Sequence, residues 1–441
     1  MTAEPDLHHI IVVGGGAGGL ELATQLGDTL GKRRKATITL VDSSMTHLWK
    51  PLLHEVAAGS LNSYEDELSY MAQGHWHHFR FRPGRMDHLD RKKREISLAP
   101  CRDELGVEFI PRRTFTYDTL IIAVGSVTND FNIPGVREHC MFLDTRQEAD
   151  HFHQTLIRSY FTAQTRQAAL REGQLHIAIA GAGATGVELS AELHEATRQL
   201  VKYGLDRINP DDVRITLIEA ADRILSALSE RLSRLTEEAL RRIHVDILTG
   251  QRIVKATADG FHTAHGRFIP AEIKVWAAGI KAPDFLQGLD GLETNPNNQL
   301  VVRPTLQSTR DENIFAFGDC AACPMPGGGT VPPRAQSAHQ QAMMLVKTLH
   351  CRLDNKPLPE YRYVDYGSLI NMSRYTTVGN LMGNLTGRLS GNFMIEGVFA
   401  RLVYLSLYKM HQLALHGVIR LIFSTLANLL THRVKPRMKL H

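Results

Sequence analysis

His9-Ile10-Ile11-Val12-Val13-Gly14-Gly15-Gly16-Ala17-Gly18-Gly19-Leu20-Glu21-Leu22 decides the fold. An apolar run leads into G-x-G-x-x-G, and a helical pattern follows. Such a stretch reads as a buried parallel strand, a tight turn and a helix. Gly14 allows the turn, Gly16 lets the backbone approach a pyrophosphate, and Gly19 lets the helix lie close to the strand. The first helical N–H groups and the helix dipole favour an anion at the same place. One such turn is a weak signal, because glycine-rich turns are common. This chain carries it twice. His176-Ile177-Ala178-Ile179-Ala180-Gly181-Ala182-Gly183-Ala184-Thr185-Gly186-Val187-Glu188-Leu189 repeats the strand, turn and helix 167 residues later. Gly181, Gly183 and Gly186 take the three glycine roles. Two dinucleotides held by one chain imply electron exchange between them.

The repetition extends beyond the turns. Thr37-Ile38-Thr39-Leu40-Val41 ends at Asp42, and Arg214-Ile215-Thr216-Leu217-Ile218 ends at Glu219. An acid at the end of the second strand accepts hydrogen bonds from a ribose diol and repels a 2′-phosphate. Glu219 therefore points to NADH over NADPH, although Arg223 lies nearby. Tyr117–Gly125 and Glu272–Gly279 are both apolar strands ending in Ala-x-Gly, so Gly125 and Ala278-Gly279 offer bare backbone to a cofactor. A third strand, Asn313-Ile314-Phe315-Ala316-Phe317, ends in Gly318-Asp319 and has no counterpart in the second half.

A chain of 441 residues has room for two or three domains. Five cysteines, an odd and small number, fit a reducing compartment. Met1–Asp6 has no basic segment followed by an apolar core, so no signal peptide is expected. The 22 histidines form no metal-ligating pattern. Cys320-Ala321-Ala322-Cys323 lacks further ligands at suitable spacing and reads as two small loop thiols. No metal and no nucleic-acid partner are expected.

Charge is unevenly placed. Residues 396–441 hold seven basic residues against Glu396 alone, so the tail carries the basic excess of a chain with net charge +4. Val398 to Leu430 is densely apolar but broken by Arg401, Lys409 and Arg420. The longest stretch of the tail without Lys or Arg, 421–432, is 12 residues. That is below the roughly 20 needed to cross a bilayer. Two amphipathic helices lying in the interface on anionic lipid fit better. Packing on the body, or a homodimer through the tail, stays open.

The chain resembles the respiratory type II NADH dehydrogenases of the bacterial kind. The resemblance runs through Val12–Glu21, His47-Leu48-Trp49-Lys50-Pro51-Leu52-Leu53-His54-Glu55-Val56-Ala57-Ala58-Gly59, the second glycine turn, Phe317-Gly318-Asp319, Arg334-Ala335-Gln336-Ser337-Ala338-His339-Gln340 and the tail. No cysteine pair follows the first turn, so a thiol relay like that of related disulfide reductases is not expected. The resemblance implies an α/β fold of two Rossmann-like dinucleotide-binding domains, disulfide-reductase-like, followed by C-terminal amphipathic membrane helices. The implied activity is non-proton-pumping NADH:quinone oxidoreduction through non-covalent FAD. The implied place is the cytoplasmic face of the bacterial inner membrane, peripheral and monotopic. The expected FAD domain covers 1–145 and 286–390, the NADH domain 146–285, and the membrane-anchoring region 391–441.

On this resemblance FAD lies against Gly14, Gly15, Gly16, Gly19, Asp42, Lys50, Leu52, Met86, Gly125, Gly318, Asp319 and Ala335. NADH lies against Gly181, Gly183, Gly186, Glu219, Ala278 and Gly279. Gln336 and Gln340, one helical turn apart, are placed at the quinone. Their amides can donate to a quinone carbonyl and accept from a quinol hydroxyl. Glu188 is placed near nicotinamide and flavin, with proton transfer or positioning as its role. As an acid in the first helical turn it would also be favoured by the dipole, and Glu21 occupies the same place in the first copy. Two other readings share the fold: an NADH-sensing flavoprotein and an NADH-oxidising reductase of a protein partner.

Overall fold

The computed structural model describes residues 7–62, 67–103, 105–165, 169–204, 207–373, 376–382 and 392–396, with scattered positions between 409 and 426. Most of the expected membrane region, 391–441, lies outside the described residues. In chain order the strands that matter are β1 (His8–Val13), β2 (Ala36–Asp42), β3 (Arg80–Pro83), β4 (Thr119–Ile122), β5 (His176–Ala180), β6 (Arg214–Ile218), β7 (Val245–Leu248), β8 (Ile273–Trp276), β9 (Ile314–Ala316), β10 (Gly367–Met372), β11 (Thr376–Met382) and β12 (Asn392–Glu396). The helices are α1 (Ala17–Leu26), α2 (Leu53–Ala58), α3 (Arg146–Thr165), α4 (Ala184–Lys202) and α5 (Ala335–Leu353).

Two compact units emerge. The first is built from Met1–Trp49, Glu67–Val127 and Ile280–Asp365. Its parallel sheet runs β9-β4-β1-β2-β3. Val13 pairs with Ile122 on one side and Val41 on the other. Ile10, Ile11 and Val12 have no exposed surface, as expected of a strand covered on both faces. Each such side chain contributes about 1.5–3 kcal/mol by leaving water.

The second unit is built from Lys50–Asp66, Thr128–Gly279 and the chain from Tyr366 on. Its parallel sheet runs β7-β6-β5-β8. Ala180 pairs with both Ile218 and Trp276. His176 on β5 bonds Thr216 at 2.7 Å, and burial pushes its pKa down to about 4. An antiparallel sheet, β10-β11-β12, completes the unit, with Ile370 opposite Val378 and Gly379 opposite Ile395.

The units divide the chain differently from the linear boundaries. Residues 50–66 and those from Tyr366 join the second unit because α2 packs on α3 and α4, and β10 packs on α4. Helix α3 starts at Arg146, three residues ahead of Ala149, the first of its buried residues. A capping box explains the earlier start. Glu148 accepts the Thr145 N–H at 2.9 Å while Thr145 Oγ1 accepts the Glu148 N–H at 3.2 Å.

Candidate functional site

The two glycine turns are built alike. Gly14 has φ +104° and Gly181 φ +100°. A Cβ on Gly14 would lie 2.3 Å from the Ala123 carbonyl oxygen, and one on Gly181 2.7 Å from that of Ala277. Gly19 and Gly186 each face the carbonyl oxygen of the first glycine, at 1.9 and 2.0 Å from a built Cβ. Gly16 and Gly183 differ from these: a Cβ on either meets nothing within 4 Å. Both cap their helices, α1 and α4, with no side-chain bond to the free N–H groups. Open space before uncapped N–H groups fits a pyrophosphate in each unit.

The acids follow the same plan. Asp42 Oδ2 accepts the Gly15 N–H at 2.6 Å and its Oδ1 accepts the Ser44 N–H at 2.7 Å. Glu219 Oε2 accepts the Ala182 N–H at 2.8 Å and its Oε1 accepts the Ala221 N–H at 2.9 Å. Each carboxylate oxygen keeps acceptor capacity for a ribose hydroxyl. Burial raises the Asp42 pKa against the pull of these N–H bonds. Arg223 is spent elsewhere: its guanidinium donates to the carbonyls of Leu228 at 3.0 Å and Ser226 at 2.7 Å. Gly15 is a feature of the first turn alone. Tyr70 O–H and His47 Nδ1 both bond its carbonyl, at 2.7 and 2.9 Å, and the Tyr70 ring leaves no room for a Cβ.

At the strand ends, Gly125 has φ +69° and open space beside it. Gly279 has φ +66° but is covered by the Phe131 ring. Gly318 (φ +73°) donates its N–H to Gln341 Oε1 at 2.8 Å, and Asp319 Oδ2 accepts from Ser126 Oγ at 2.8 Å. Met86 is buried at the start of a strand, Met86–Asp90, paired with Leu98. Lys50 and the buried Leu52 belong to the second unit, where Lys50 Nζ bonds Asp144 Oδ1 at 3.1 Å. Cys320 and Cys323 are buried free thiols pushed up to about 12 and about 11 by burial. Among the described residues no group of three His, Cys, Asp or Glu could hold a metal.

Glu188 lies beyond the first turn of α4, which holds no acid, so the dipole does not account for it. It is 8% exposed. Its Oε1 accepts the Asn371 N–H from β10 at 3.0 Å, and its Oε2 stands 3.7 Å from His54 Nδ1. Burial, with help from the Glu55 and Glu192 charges, pushes its pKa up to about 8. Burial pushes His54 down to about 4. Near neutral pH this pair is two uncharged groups, the carboxyl protonated and the imidazole neutral. His54 Nε2 is buried with no hydrogen-bond partner.

Helix α5 begins at Ala335, as Pro332-Pro333 and the pattern after them indicate, and has no side-chain N-cap. Gln336 Nε2 donates to Asp365 Oδ1 at 3.3 Å, and Arg334 pairs with the same carboxylate at 3.3 Å. The Gln340 amide clasps the Val364 backbone, donating to its carbonyl at 2.7 Å and accepting its N–H at 3.1 Å. His339 Nδ1 bonds Glu21 Oε2 at 2.8 Å. Sequence reasoning missed His54, Asp365, Gln341, Asn371 and Phe131. His54 alone carried a local signal, being quoted inside the His47–Gly59 string.

Comparison with known proteins gives the family. Residues 8–342 match the pyridine nucleotide-disulphide oxidoreductase family. The chain is 42% identical to a type II NADH:quinone oxidoreductase of Haemophilus influenzae, over 99% of this chain and 100% of that one. It is 28% identical to the type II NADH:quinone oxidoreductase of Staphylococcus aureus, over 90% and 96%. The structure of NDH2 from Plasmodium falciparum in complex with NADH is similar in fold, with a TM-score of 0.82, 19% identity, and coverage of 98% of this chain and 100% of that one. With two dinucleotide turns and full-length likeness at this level, the chain belongs to the pyridine nucleotide-disulphide oxidoreductase family, among its type II NADH:quinone oxidoreductases.

Proposed function

We propose that this protein is a respiratory NADH:quinone oxidoreductase that pumps no protons, with FAD held non-covalently in the first unit and NADH taken by the second. The observation that carries the reading is the pair of open, uncapped glycine turns at Gly16 and Gly183, each beside a strand-ending acid. FAD, when bound, supplies a two-electron carrier between NADH and the quinone. Gly14, Gly16 and Gly19 hold its pyrophosphate and Asp42 its ribose. Gly125, Gly318 and Asp319 give it close backbone and a polar edge; Met86 and the Ala335 N–H are further contacts. Gly181, Gly183 and Gly186 hold the NADH pyrophosphate.

Glu219 takes the adenosine ribose diol and repels a 2′-phosphate, and Arg223 is tied to carbonyls. Glu188 holds a proton at its carboxyl near neutral pH, in a buried place where proton movement is controlled. Gln336 donates to the quinone carbonyl. Gln340, clasped on Val364, orders the segment that carries Asp365 and so supports Gln336. The protein is membrane-associated through its basic, apolar tail, on the cytoplasmic leaflet. Among described tail positions Leu413, Phe423 and Leu426 are exposed and Leu415 is buried, which leaves apolar surface for lipid.

The test is NADH oxidation by FAD-loaded protein, with and without a short-chain ubiquinone, repeated for Gln336→Ala. Quinone-dependent turnover is expected, lowered about tenfold or more in the variant, while flavin reduction by NADH persists. Flavin reduction without quinone turnover in the parent protein would sink the acceptor assignment.

A further inference from the structure

The parallel sheet of the second unit places β5, the strand that enters the glycine turn, between β6 and β8. Ligands of such sheets bind beyond the strand ends where the order reverses, here between β5 and β8. At that point Gly181 backs onto Ala277 and Ala278. The next residue, Gly279, faces Phe131: a Cβ built on it would lie 2.5 Å from Phe131 Cζ. Phe131 and Asn132 both carry positive φ, +52° and +53°. Two successive left-handed residues with side chains are uncommon and unfavourable, and they persist only where the surroundings hold them.

The surroundings do hold them. Asn129 Oδ1 accepts the Phe131 N–H at 2.9 Å, and Asp130 Oδ1 accepts the Asn132 N–H at 3.3 Å. Trp276 Nε1–H donates to the Asn129 carbonyl at 2.8 Å, and the Asn129 N–H donates to that of Gly279 at 3.2 Å. Asp130 is further fixed by Arg137. The loop is tied to the end of β8, yet Phe131 stays 54% exposed. One side of the ring rests on Gly279 and much of the rest is open, a few residues from the pyrophosphate turn. We propose that the Phe131 ring is the platform on which the nicotinamide ring of NADH stacks, and that Gly279 is glycine in order to seat that ring. The proposal rests on the reading that the second glycine turn binds NADH.

Calorimetric titration of the FAD-loaded protein with NAD+ and with ADP-ribose, which lacks nicotinamide, tests it. Phe131→Leu is expected to weaken NAD+ about fivefold and leave ADP-ribose unchanged. Phe131→Tyr, which keeps the flat ring, should bind both like the parent. Equal weakening of both ligands by Phe131→Leu, or no weakening of either, overturns the platform while leaving the NADH reading intact. Failure of the parent protein to bind either ligand overturns the NADH reading and the platform together.

Discussion

Glu21 and Glu188 occupy the same position in the two glycine motifs, two residues after the third glycine, and both are buried. Their surroundings differ. Glu21 meets a histidine from α5 at 2.8 Å, and that contact raises the His339 pKa. Among the described residues no cation stands beside Glu188. It faces a neutral His54, one backbone N–H, and the charges of Glu55 and Glu192, and it keeps its proton up to about pH 8. The turns themselves are interchangeable in geometry; what packs on the following helix is not. The motif therefore specifies pyrophosphate binding, and elements remote from it in the chain, before or after, specify the chemistry of the acid.

The sharpest way to break this comparison is through the shared glycines. Gly19→Ala drives a Cβ to 1.9 Å from the Gly14 carbonyl oxygen, and Gly186→Ala to 2.0 Å from that of Gly181. Each forces helix from strand, at a cost of about 1–3 kcal/mol or more. Gly19→Ala should purify without flavin absorbance. Gly186→Ala should keep its flavin and lose flavin reduction by NADH about a hundredfold, because the substrate is misplaced. Loss of flavin from both variants would show that the turns do not serve separate ligands.

A smaller effect should come from Glu188→Gln. The native carboxyl binds its proton up to about pH 8, whereas the unfolded one releases it near the ordinary 4.5. Between those values the folded state holds more protons, so the stability of the parent protein falls as pH rises. Glutamine does not titrate, so the variant should match the parent near pH 5 and exceed it by a margin that widens up to about pH 8. His54, with its pKa pushed down to about 4, acts in the opposite sense and only between there and 6.5. The difference between parent and Glu188→Gln melts from pH 7 to 9 therefore reports Glu188, because His339 is common to both. A difference that stays flat over that range contradicts a protonated Glu188. Quinone-linked turnover should fall about tenfold in the same variant.

Much of this architecture is legible in a single strand of letters. Glycines, strand-ending acids and apolar runs are local signals, and the structure sets both βαβ units where those signals lie. Pro332-Pro333 announce the start of α5 for the same reason. The environment of Glu188 is not legible, because Asn371 lies 183 residues away in sequence and His54 arrives on α2. Asp365 meets Gln336 across 29 residues, in a segment with no recognisable pattern. Phe131 carries no local mark of a positive φ, which ordinarily favours glycine, asparagine or aspartate. The Asn129 and Asp130 side chains bond the Phe131 and Asn132 N–H groups, and tethers from Trp276 and Gly279, remote in sequence, hold that turn.

The smallest effect should belong to His339, and its sign separates it from Glu188. A histidine whose folded pKa is raised stabilises the protein fully below its unfolded value, near 6.5, and loses that contribution as pH rises through the folded value. The ring is 45% exposed, so solvent screens the pair and its worth is about 0.5 kcal/mol. His339→Gln should therefore be less stable than the parent near pH 5.5 and match it near pH 9. Both acids make parent stability decline with pH, but for opposite reasons: a favourable pair is lost at Glu21, and an unfavourable charge appears at Glu188. The two variants depart from the parent at opposite ends of the pH range, His339→Gln downward at the acid end and Glu188→Gln upward at the alkaline end. A His339→Gln curve displaced equally at every pH would mean that the ring contributes packing alone, and that Glu21 is not held by charge.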